Sequence, residues 1–468
     1  MKRIIIFLLL LICYANSETK NCRTSSEVIA ALQQLKAGDI VLLDDGIYEF
    51  SNPLPMNVQG LKEKPIIIKA KNRNKAIIKG ETLILLRNAS FITIEGLVFN
   101  NTGSVAVQLE GCNNIRITRN IFRLNERGRG SWVWITGNDN DTASLSHHNI
   151  VDRNLFENKK ELGNFVTIEG TKTFSPSVSQ YDLIEWNYFK DIGPRAENVL
   201  EAIRAGSSIY TLSRGFTLLQ NNLFERCDGD PEYVSIKLSD CTVRNNTFRE
   251  CLGSLSLRHG NNNTIDGNFI FGKGRTGTFL DSTGKHWTLG TGGVRFCADS
   301  MTITNNYFEG LTGKGWDATI AATNGDADYS EGKPLVKHFR IRNAIISNNI
   351  MVNNTSNIEI GFDGAGFQNN WWAKPPQDMV IANNVVVGSK DTLIRLIDGP
   401  INTSFKNNII FAEGNAVPYA KTINGVEIRN PQLKRVNGLL TPTIRSILVN
   451  KIYSSKPLTA NDVGPNAK

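Results

Sequence analysis

The sequence predicts an all-β protein, a right-handed parallel β-helix that begins with a short capping helix. Three observations indicate this fold. An Asn-x-Phe unit recurs along the 468 residues, a short β-branched run precedes each copy, and no long amphipathic helical pattern occurs. Short strands that stack coil upon coil, each covering the apolar face of the next, account for all three observations.

The repeat unit is centred on an asparagine and has a basic length of 22 to 24 residues. Longer intervals of 33 to 43 residues contain the same unit with a loop insertion. A leucine-rich repeat has a similar period, but its Leu-x-x-Leu-x-Leu signature is missing. Side chains at one turn of a stack can hydrogen-bond along it, so we expect structural roles for these asparagines. They are Asn120, Asn154, Asn187, Asn222, Asn246, Asn268, Asn306, Asn349, Asn384 and Asn408.

The N-terminal end of such a stack must be covered, because its first coil would otherwise expose an apolar face. Thr24 and Glu27 have the spacing of a capping box, which predicts the start of a short helix. Its apolar face is predicted to consist of Val28, Ile29, Leu32 and Leu35. No Pro/Ser-rich linker or change in composition divides the remaining chain. Residues 18–468 are therefore predicted to form a single β-helix domain.

Residues 1–17 have the order of a secretory signal peptide: basic residues first, an apolar run from Ile4 to Ile12, and small residues up to Ser17. The protein is therefore expected to be secreted or periplasmic. A lipid anchor at Cys13 is the less favoured alternative, because the residue before this cysteine is not small. No segment approaches the roughly 20 apolar residues of a membrane-spanning helix, so no membrane span is expected.

The formal net charge of +8 at pH 7 suits an acidic partner, although charge alone is equally consistent with a role in solubility. Lysines and arginines are spread without runs, and no nucleic-acid-binding motif occurs, so nucleic acid is not the expected partner. Six cysteines follow the signal segment, none of them in a Cys-x-x-Cys pair. We expect them to be small buried residues rather than a disulfide framework. Nothing in the sequence indicates an oligomeric state.

The alternation of apolar and polar residues predicts a column of cations on one outward face. In the run from Val234 to Leu238 the aliphatic residues point inward and Lys237 points outward. The same alternation exposes Arg258 in the next coil. Adjacent coils repeat the pattern, which gives a column of Arg204, Lys237, Arg258 and Arg295. Because neighbouring strands are about 4.8 Å apart, this column needs negative charge beside it, from a linear polyanion or from nearby carboxylates.

The carboxylates available to neutralise the column from within are Glu201, Asp230 and Glu232. Two of them permit a second interpretation. Asp230 and Glu232 are two residues apart, and Asn198 lies about one coil earlier, so their oxygens could bind Ca²⁺. An unbroken strand from Asp230 to Lys237 would place the carboxylates and the lysine on opposite faces. Pro231 indicates a bend in this stretch.

Four blocks of sequence carry a resemblance to a known family: NVLEAIRAG, DPEYVSIKLSDCTVRNNTF, LSLRHGNNNTIDGNFIFG and GGVRF. They resemble the active-site strands of polysaccharide lyase family 6, which contains alginate lyases and chondroitinase B. The resemblance extends to the terminal LTANDVGP, and the later segments look more like the alginate-cleaving members. It implies calcium-assisted β-elimination of a 4-linked uronic-acid polysaccharide, with alginate favoured. The nearest alternative is a dermatan sulfate or chondroitin lyase, and a non-catalytic polysaccharide-binding β-helix is an alternative of another class.

The resemblance implies a role for each candidate residue. Lys237 matches the base that removes the C5 proton of a uronic acid, and Arg258 matches the acid that assists departure of the 4-linked oxygen. The calcium ligands match Asn198, Asp230 and Glu232. Expected substrate contacts are Arg204, Arg295 and His259, the last of which is equally well explained as a hydrogen-bonding residue at a strand end. The chain departs from the family at Val199 and Leu200, where Gly-Gly is frequent, and at Asp230, where glutamate is frequent.

Overall fold

The computed structural model describes residues 17–140, 144–173, 176–365, 372–419, 422–443 and 456–467. In these residues the chain forms three long parallel sheets, named A, B and C in the order in which each coil contributes its strands. The predicted right-handed parallel β-helix is confirmed. Residues 1–16 of the predicted signal peptide, including Cys13, lie outside the described residues. Within the described ranges, no helix has the length and apolarity needed to cross a membrane.

Each sheet contains 14 strands in the described part of the chain. Sheet A consists of Thr19–Cys22, Ile40–Leu43, Ile66–Ala70, Ile92–Glu95, Arg116–Thr118, Ile150–Asp152, Leu183–Glu185, Leu218–Gln220, Thr242–Arg244, Thr264–Asp266, Thr302–Thr304, Ile345–Ser347, Val380–Ala382 and Ser404–Lys406. Sheet B consists of Gly46–Glu49, Ala76–Lys79, Val98–Phe99, Ile121–Phe122, Leu155–Lys159, Tyr188–Ile192, Leu223–Cys227, Thr247–Arg249, Phe269–Phe271, Tyr307–Glu309, Ile350–Val352, Val385–Gly388, Asn408–Ala412 and Val426–Ile428. Sheet C consists of Leu54–Met56, Ile84–Arg87, Val107–Glu110, Val133–Thr136, Val166–Ile168, Ile203–Gly206, Glu232–Lys237, Gly253–His259, Thr276–Leu280, His286–Phe296, Ile320–Thr323, Ile358–Phe362, Thr392–Leu396 and Val417–Tyr419.

Insertions between the coils carry the remaining elements. Thr276–Leu280 pairs antiparallel with His286–Phe296 and forms a hairpin that projects from sheet C. Two small antiparallel pairs consist of Gly170–Thr171 with Ser177–Val178, and Leu433–Val436 with Leu439–Pro442. The single-turn 3-10 helices are Ser208–Tyr210, Gly315–Asp317 and Tyr329–Glu331.

The predicted capping helix is Ser25–Leu32, and it packs against the first strands of sheets A and C. Thr24 and Glu27 form the complete capping box: the Thr24 side chain accepts a hydrogen bond from the Glu27 N–H at 3.2 Å, and the Glu27 carboxylate accepts one from the Thr24 N–H at 3.1 Å. Of the predicted apolar face, Val28 is buried and Leu32 is partly buried, whereas Ile29 is 41% exposed and Leu35 packs against the core from beyond the end of the helix. Ala31 is buried in place of Ile29, because the short helix turns positions 28 and 31 toward the first coil.

The ten repeat asparagines form the predicted ladder, and all are buried. The Nδ2 of Asn120 donates to the Oδ1 of Asn154 at 3.1 Å, and its backbone N–H donates to the same oxygen at 2.9 Å. Equivalent bonds continue coil by coil to Asn408. The residue before each asparagine has positive φ, as at Arg119, where φ is 56°. The side-chain amides thus provide hydrogen-bond partners for backbone N–H and C=O groups at a sharp turn, where the regular pairing between strands is interrupted.

Buried phenylalanines at the ends of the repeats form a second stack inside the helix. The rings of Phe99, Phe122 and Phe156 lie parallel, with centroids 4.7 and 4.5 Å apart, and the stack continues through Phe189, Phe224 and Phe248. The six described cysteines are free thiols and all are buried, as the sequence predicted. The stacked phenylalanines, which occupy the same position on successive coils, help to fix the register between those coils.

Asn149 and Asp182 make the same kind of contact at another turn of two adjacent coils. At this turn Asp182 carries a carboxyl group where an amide would fit. Its Oδ1 accepts hydrogen bonds from the backbone N–H and the Nδ2 of Asn149 at 3.0 and 3.1 Å. Burial raises the pKa of Asp182 to about 6. Because this pKa lies above the unfolded value of about 3.9, the folded state binds the proton more tightly. The contribution to stability is complete below the unfolded pKa and is lost as the pH rises through about 6.

We expect Asp182→Asn to raise the free energy of unfolding by about 3 kcal/mol at pH 8, and by less at pH 5. An asparagine keeps the accepting oxygen and adds no buried charge. The measurement is the denaturant dependence of unfolding at both pH values. The matched control, Asp152→Asn, should lower stability, because Asp152 is a buried partner of Arg116 and Arg153. Equal stability of the Asp182→Asn variant and the parent at pH 8 would contradict the expectation.

Candidate active site

Four adjacent strands of sheet C carry the candidate residues, and their register corrects one prediction. Arg204 is paired with Ser235, Ser235 with Ser256, and Ser256 with Arg295. Lys237 lies two residues further along its strand, where it is paired with Gly206 and His259. The four cations therefore do not form a single column. They form two rows on the same outward face, separated by about 6.6 Å along the strands.

Two β-bulges decide which side chains reach this face. The pairing of Glu232–Lys237 with Gly253–His259 is irregular between Glu232 and Val234, which leaves Tyr233 as an extra residue. It is irregular again before Lys237, where Arg258 is the extra residue opposite. The first bulge removes the conflict in side-chain alternation, since Glu232 and Lys237 now share the outward side. The buried Tyr233 packs against the stacked Phe248.

Glu232 lies at the centre of the site and is 3% exposed. Its Oε1 accepts a hydrogen bond from the Nη1 of Arg258 at 3.0 Å and another from the Nη2 of Arg295. Its Oε2 accepts a hydrogen bond from the Ser235 hydroxyl. Burial favours the neutral acid, but Arg258, Arg295 and Lys237 together hold the pKa of Glu232 well below its usual range. Glu232 is thus a permanent anion that fixes the three cations around it.

Lys237 and Arg258 both keep part of their side chains open to solvent. The Nζ of Lys237 lies 3.6 Å from the Oε1 of Glu201 and 4.0 Å from the Oε2 of Glu232, and the side chain is 15% exposed. Arg258 is 34% exposed. Glu232 raises the pKa of Arg258, so its guanidinium is charged at every working pH. The amine of Lys237 and the guanidinium of Arg258 therefore stand side by side on an accessible face.

A cluster of buried carboxylates lies beside these cations. Each of Glu201, Asp230 and Glu232 offers an oxygen, and the three oxygens lie within 4.8 Å of one another. Among the described residues, the Oδ2 of Asp230 and the Oε2 of Glu201 have no hydrogen-bond partner. Burial, together with the charges of Glu201 and Glu232, raises the pKa of Asp230 to about 8. Unpartnered buried carboxylate oxygens are what a hard divalent cation binds, so this cluster can hold a metal ion.

Glu201 was not among the metal ligands that the sequence predicted. It lies one coil before Glu232 in the register of sheet C, since Ile203 is paired with Val234. The signal that could have identified it is a Glu-x-aliphatic triplet, which begins at Glu201 and again at Glu232. Burial raises the pKa of Glu201 as well. The cluster thus contains Asp230 and Glu232 as predicted and gains Glu201.

Asn198, the third predicted ligand, is exposed in the segment that leads to Glu201. Its role as a ligand stays a prediction. The next residue, Val199, has a φ of 66°, a left-handed conformation that a β-branched residue rarely adopts. Its carbonyl accepts a hydrogen bond from the Gly163 N–H at 2.7 Å. A glycine would adopt this conformation without strain, which explains why glycine suits the position.

The two arginines predicted to contact substrate have different surroundings. The Nη2 of Arg204 is 2.9 Å from the Oε1 of Glu169, so its charge is already paired. The guanidinium of Arg295 lies over the ring of Trp316 at 5.4 Å from the centroid. Trp316 was not singled out from the sequence, because only the inserted turn Gly315–Asp317 brings it to the site.

The predicted substrate contact His259 is 2% exposed. Burial, with the charges of Arg258 and Lys237, lowers the pKa of His259 to about 3, so the imidazole is neutral. Its ring lies 6.1 Å from that of His338, which sequence reasoning missed and which is partly buried. No sequence signal placed His338 here, since it comes from a loop between coils. His259 stays a predicted substrate contact, and its neutral ring can donate one hydrogen bond and accept another.

Comparisons with known proteins agree with this architecture. The family model described as chondroitinase B matches residues 22–453. The solved structure of AlyGC, an alginate lyase of polysaccharide lyase family 6, has a TM-score of 0.79 and 25% identity, and the match covers 95% of this chain and 58% of that one. This chain therefore spans little more than half the length of AlyGC. A comparison with curated protein sequences found no significant match.

Two further structures of the same family show the same fold. A mannuronic acid specific lyase from human gut microbiota is 22% identical with a TM-score of 0.68, and the match covers 85% of this chain and 87% of that one. A lyase from Pseudopedobacter saltans is 20% identical with a TM-score of 0.65, and the match covers 96% and 99% of the two chains. With the family model matching nearly the whole described chain, this protein belongs to the chondroitinase B family, which is part of polysaccharide lyase family 6.

Proposed function

We propose that the protein is a lyase that cleaves a polysaccharide of 4-linked uronic acids, with alginate as its substrate. The observation that carries the proposal is the placement of Lys237 and Arg258 side by side on the outward face of sheet C, next to a buried carboxylate cluster. Family membership supports the reaction class, and the likeness to the alginate lyase AlyGC supports the substrate.

In the proposed reaction Lys237 is the base and Arg258 the acid. The Nζ of Lys237 takes the C5 proton of a uronate, and the electron pair of that C–H bond forms the C4–C5 double bond. The C4–O bond breaks, and the departing oxygen takes up a proton through the hydrogen bond that Arg258 donates. Glu232 holds Arg258 at a fixed position, so little reorganisation is needed during the reaction.

We further propose that Glu201, Asp230 and Glu232 hold Ca²⁺, with Asn198 as the additional predicted ligand. A bound calcium ion would neutralise the substrate carboxylate and thereby make the C5 proton more acidic. The arrangement of the carboxylates supports the proposal. Their oxygens lie within 4.8 Å of one another, and a buried oxygen of Asp230 and another of Glu201 have no hydrogen-bond partner among the described residues. A divalent cation would satisfy both oxygens at once.

A second substrate is favoured by one finding, since the matching family model is described as chondroitinase B. The same base and acid would serve a dermatan sulfate or chondroitin lyase. Such a substrate differs from alginate in carrying sulfate groups and amino sugars. The two hypotheses therefore differ in the polymer and share the reaction.

The test is to incubate the protein with alginate, dermatan sulfate and pectate, with and without a chelator, and to follow the ultraviolet absorbance of the unsaturated product. We expect product from alginate, a loss of at least about tenfold in rate with chelator, and recovery on addition of Ca²⁺. Calcium titration by calorimetry gives a readout independent of activity.

Each outcome bears on a different part of the proposal. Absence of product from all three polymers would contradict the lyase function. Product from dermatan sulfate alone would identify dermatan sulfate, and not alginate, as the substrate. Activity that is insensitive to chelator, together with no heat of calcium binding, would contradict the proposed calcium site. The carboxylates would then serve only to pair with the neighbouring cations.

A further inference from the structure

A cavity of about 480 Å³ lies outside the candidate active site, at the corner where the chain passes from sheet B to sheet C. One wall is the segment Gly193, Pro194 and Arg195, which follows the strand Tyr188–Ile192. The opposite wall is the hairpin that projects from sheet C, at Gly277 and Leu289. The cavity is therefore an open cleft between consecutive coils and an inserted hairpin, and it is large enough for a sugar unit.

The side chains that line the cavity carry more positive than negative charge. Four are cations, Lys160, Arg195, Arg226 and Arg275, and two are anions, Asp191 and Asp228. Arg226 pairs with Asp191 at 2.7 Å. Arg275 donates two hydrogen bonds to Asp228, at 2.9 and 2.6 Å. Both carboxylates are thus already occupied, and the charges of Lys160 and Arg195 remain.

Of the two remaining cations, Arg195 is the one whose guanidinium is held by backbone carbonyl groups. Its Nε donates to the backbone carbonyl of Asp228 at 2.8 Å, and its Nη2 donates to that of Leu252 at 2.9 Å. The side chain of Arg195 is intermediate in exposure and forms no ion pair within 4.0 Å with a carboxylate of a described residue. Burial lowers the pKa of Arg195, and the carboxylates of Asp317, Asp230 and Asp228 offset that effect only in part. A guanidinium held by two neutral carbonyls and facing a cavity is arranged to receive an anion.

We propose that this cavity binds one uronate unit of an acidic polysaccharide outside the catalytic face, with Arg195 and Lys160 receiving the carboxylate. The inference rests on the proposed function, since it assumes the same class of polymer. Position supports it. Two residues that line the cavity lead into the candidate site: Asp228 is two residues before Asp230, and Leu252 immediately precedes the strand Gly253–His259. A polymer held at this corner lies at the edge of the sheet that carries Lys237 and Arg258, so the cavity would increase the local concentration of substrate.

The test is a calorimetric titration of a saturated alginate trisaccharide into the Lys237→Ala variant, which binds substrate without turnover. We expect two binding events. Adding Lys160→Glu should weaken one of them by about tenfold or more and leave the other unchanged. Arg195→Gln, which loses the charge but keeps a donor for one carbonyl, should have the same effect, with folding checked by thermal unfolding. A neutral trisaccharide should give no event at the cavity.

The matched control is Lys62→Glu, the same charge change at an exposed lysine in the turn before Ile66–Ala70, which should alter neither event. A single binding event, or two events unaffected by both Lys160→Glu and Arg195→Gln, would overturn the inference. So would an equal loss with Lys62→Glu, because the effect would then be one of net charge. The titration needs no turnover, so an enzyme without lyase activity would contradict the proposed function while the binding result stands.

Discussion

Replacing Lys237 with alanine is expected to lower kcat for β-elimination by about 10²- to 10⁴-fold, the usual contribution of a positioned general base. The reason is geometric. In the proposed reaction the Nζ of Lys237 is the proton acceptor. Its side chain is 15% exposed, whereas the nearby carboxylates Glu201 and Glu232 are 1% and 3% exposed. Neither buried group can replace the amine at the surface. The rate is measured from the ultraviolet absorbance of the product at saturating alginate.

The matched control for this variant is Lys406→Ala, which removes an exposed lysine from a strand of sheet A, on another side of the molecule. Its kcat should equal that of the parent. Binding of an alginate trisaccharide should persist in Lys237→Ala, because Arg258 and Arg295 remain in place. Retained activity in Lys237→Ala would show that another group removes the proton. Loss of folding is detected separately, by comparing thermal unfolding of the two variants with that of the parent.

Glu232→Gln is expected to have the second largest effect, because one carboxylate holds three groups in position. Its two oxygens accept hydrogen bonds from Arg258, Arg295 and Ser235. An amide offers one accepting oxygen and no charge, so the two guanidiniums would repel each other and Arg258 would lose its fixed position. We expect kcat to fall by about 10²-fold or more and calcium affinity by about 10- to 100-fold.

The same substitution should lower the free energy of unfolding by about 3 kcal/mol, the low end of the cost of removing one partner from a buried ion pair, because Arg258 is partly open to solvent. Calcium affinity is measured by calorimetry and stability by denaturant unfolding. Glu169→Gln is the matched control, since it breaks a carboxylate–arginine pair with Arg204 on the same sheet. That variant should keep its calcium affinity. Unchanged activity and calcium affinity in Glu232→Gln would contradict the proposed role.

Much of the fold could be predicted because it depends on local and periodic features of the sequence. The ladder asparagines recur at every coil, since each must satisfy the backbone at the same turn. The capping box of Thr24 and Glu27 is a contact between residues three apart. Ile29 was the exception, because the side of the helix that faces the first coil depends on how the helix docks, which its own sequence does not contain.

The outward placement of Lys237 and Arg258 was also determined by the sequence, through the alternation of side chains along each strand. The single column of four cations was not, because the pairing of adjacent strands is fixed by packing across coils that are many residues apart. The register places Arg204 and Arg295 in line with Ser235 and Ser256, two residues before Lys237.

Only the tertiary structure decided how acids and bases meet in one site. The bulge at Tyr233 turns Glu232 to the outward face that carries Arg258, and this bulge cannot be read from one strand alone. Packing of successive coils also brings Glu201 to Asp230, where shared burial raises both pKa values. The sequence by itself determined the repeating backbone and the identity of the candidate base and acid. Their electrostatic setting arises from contacts between coils, because charges separated by about 30 residues interact only once the stack has formed.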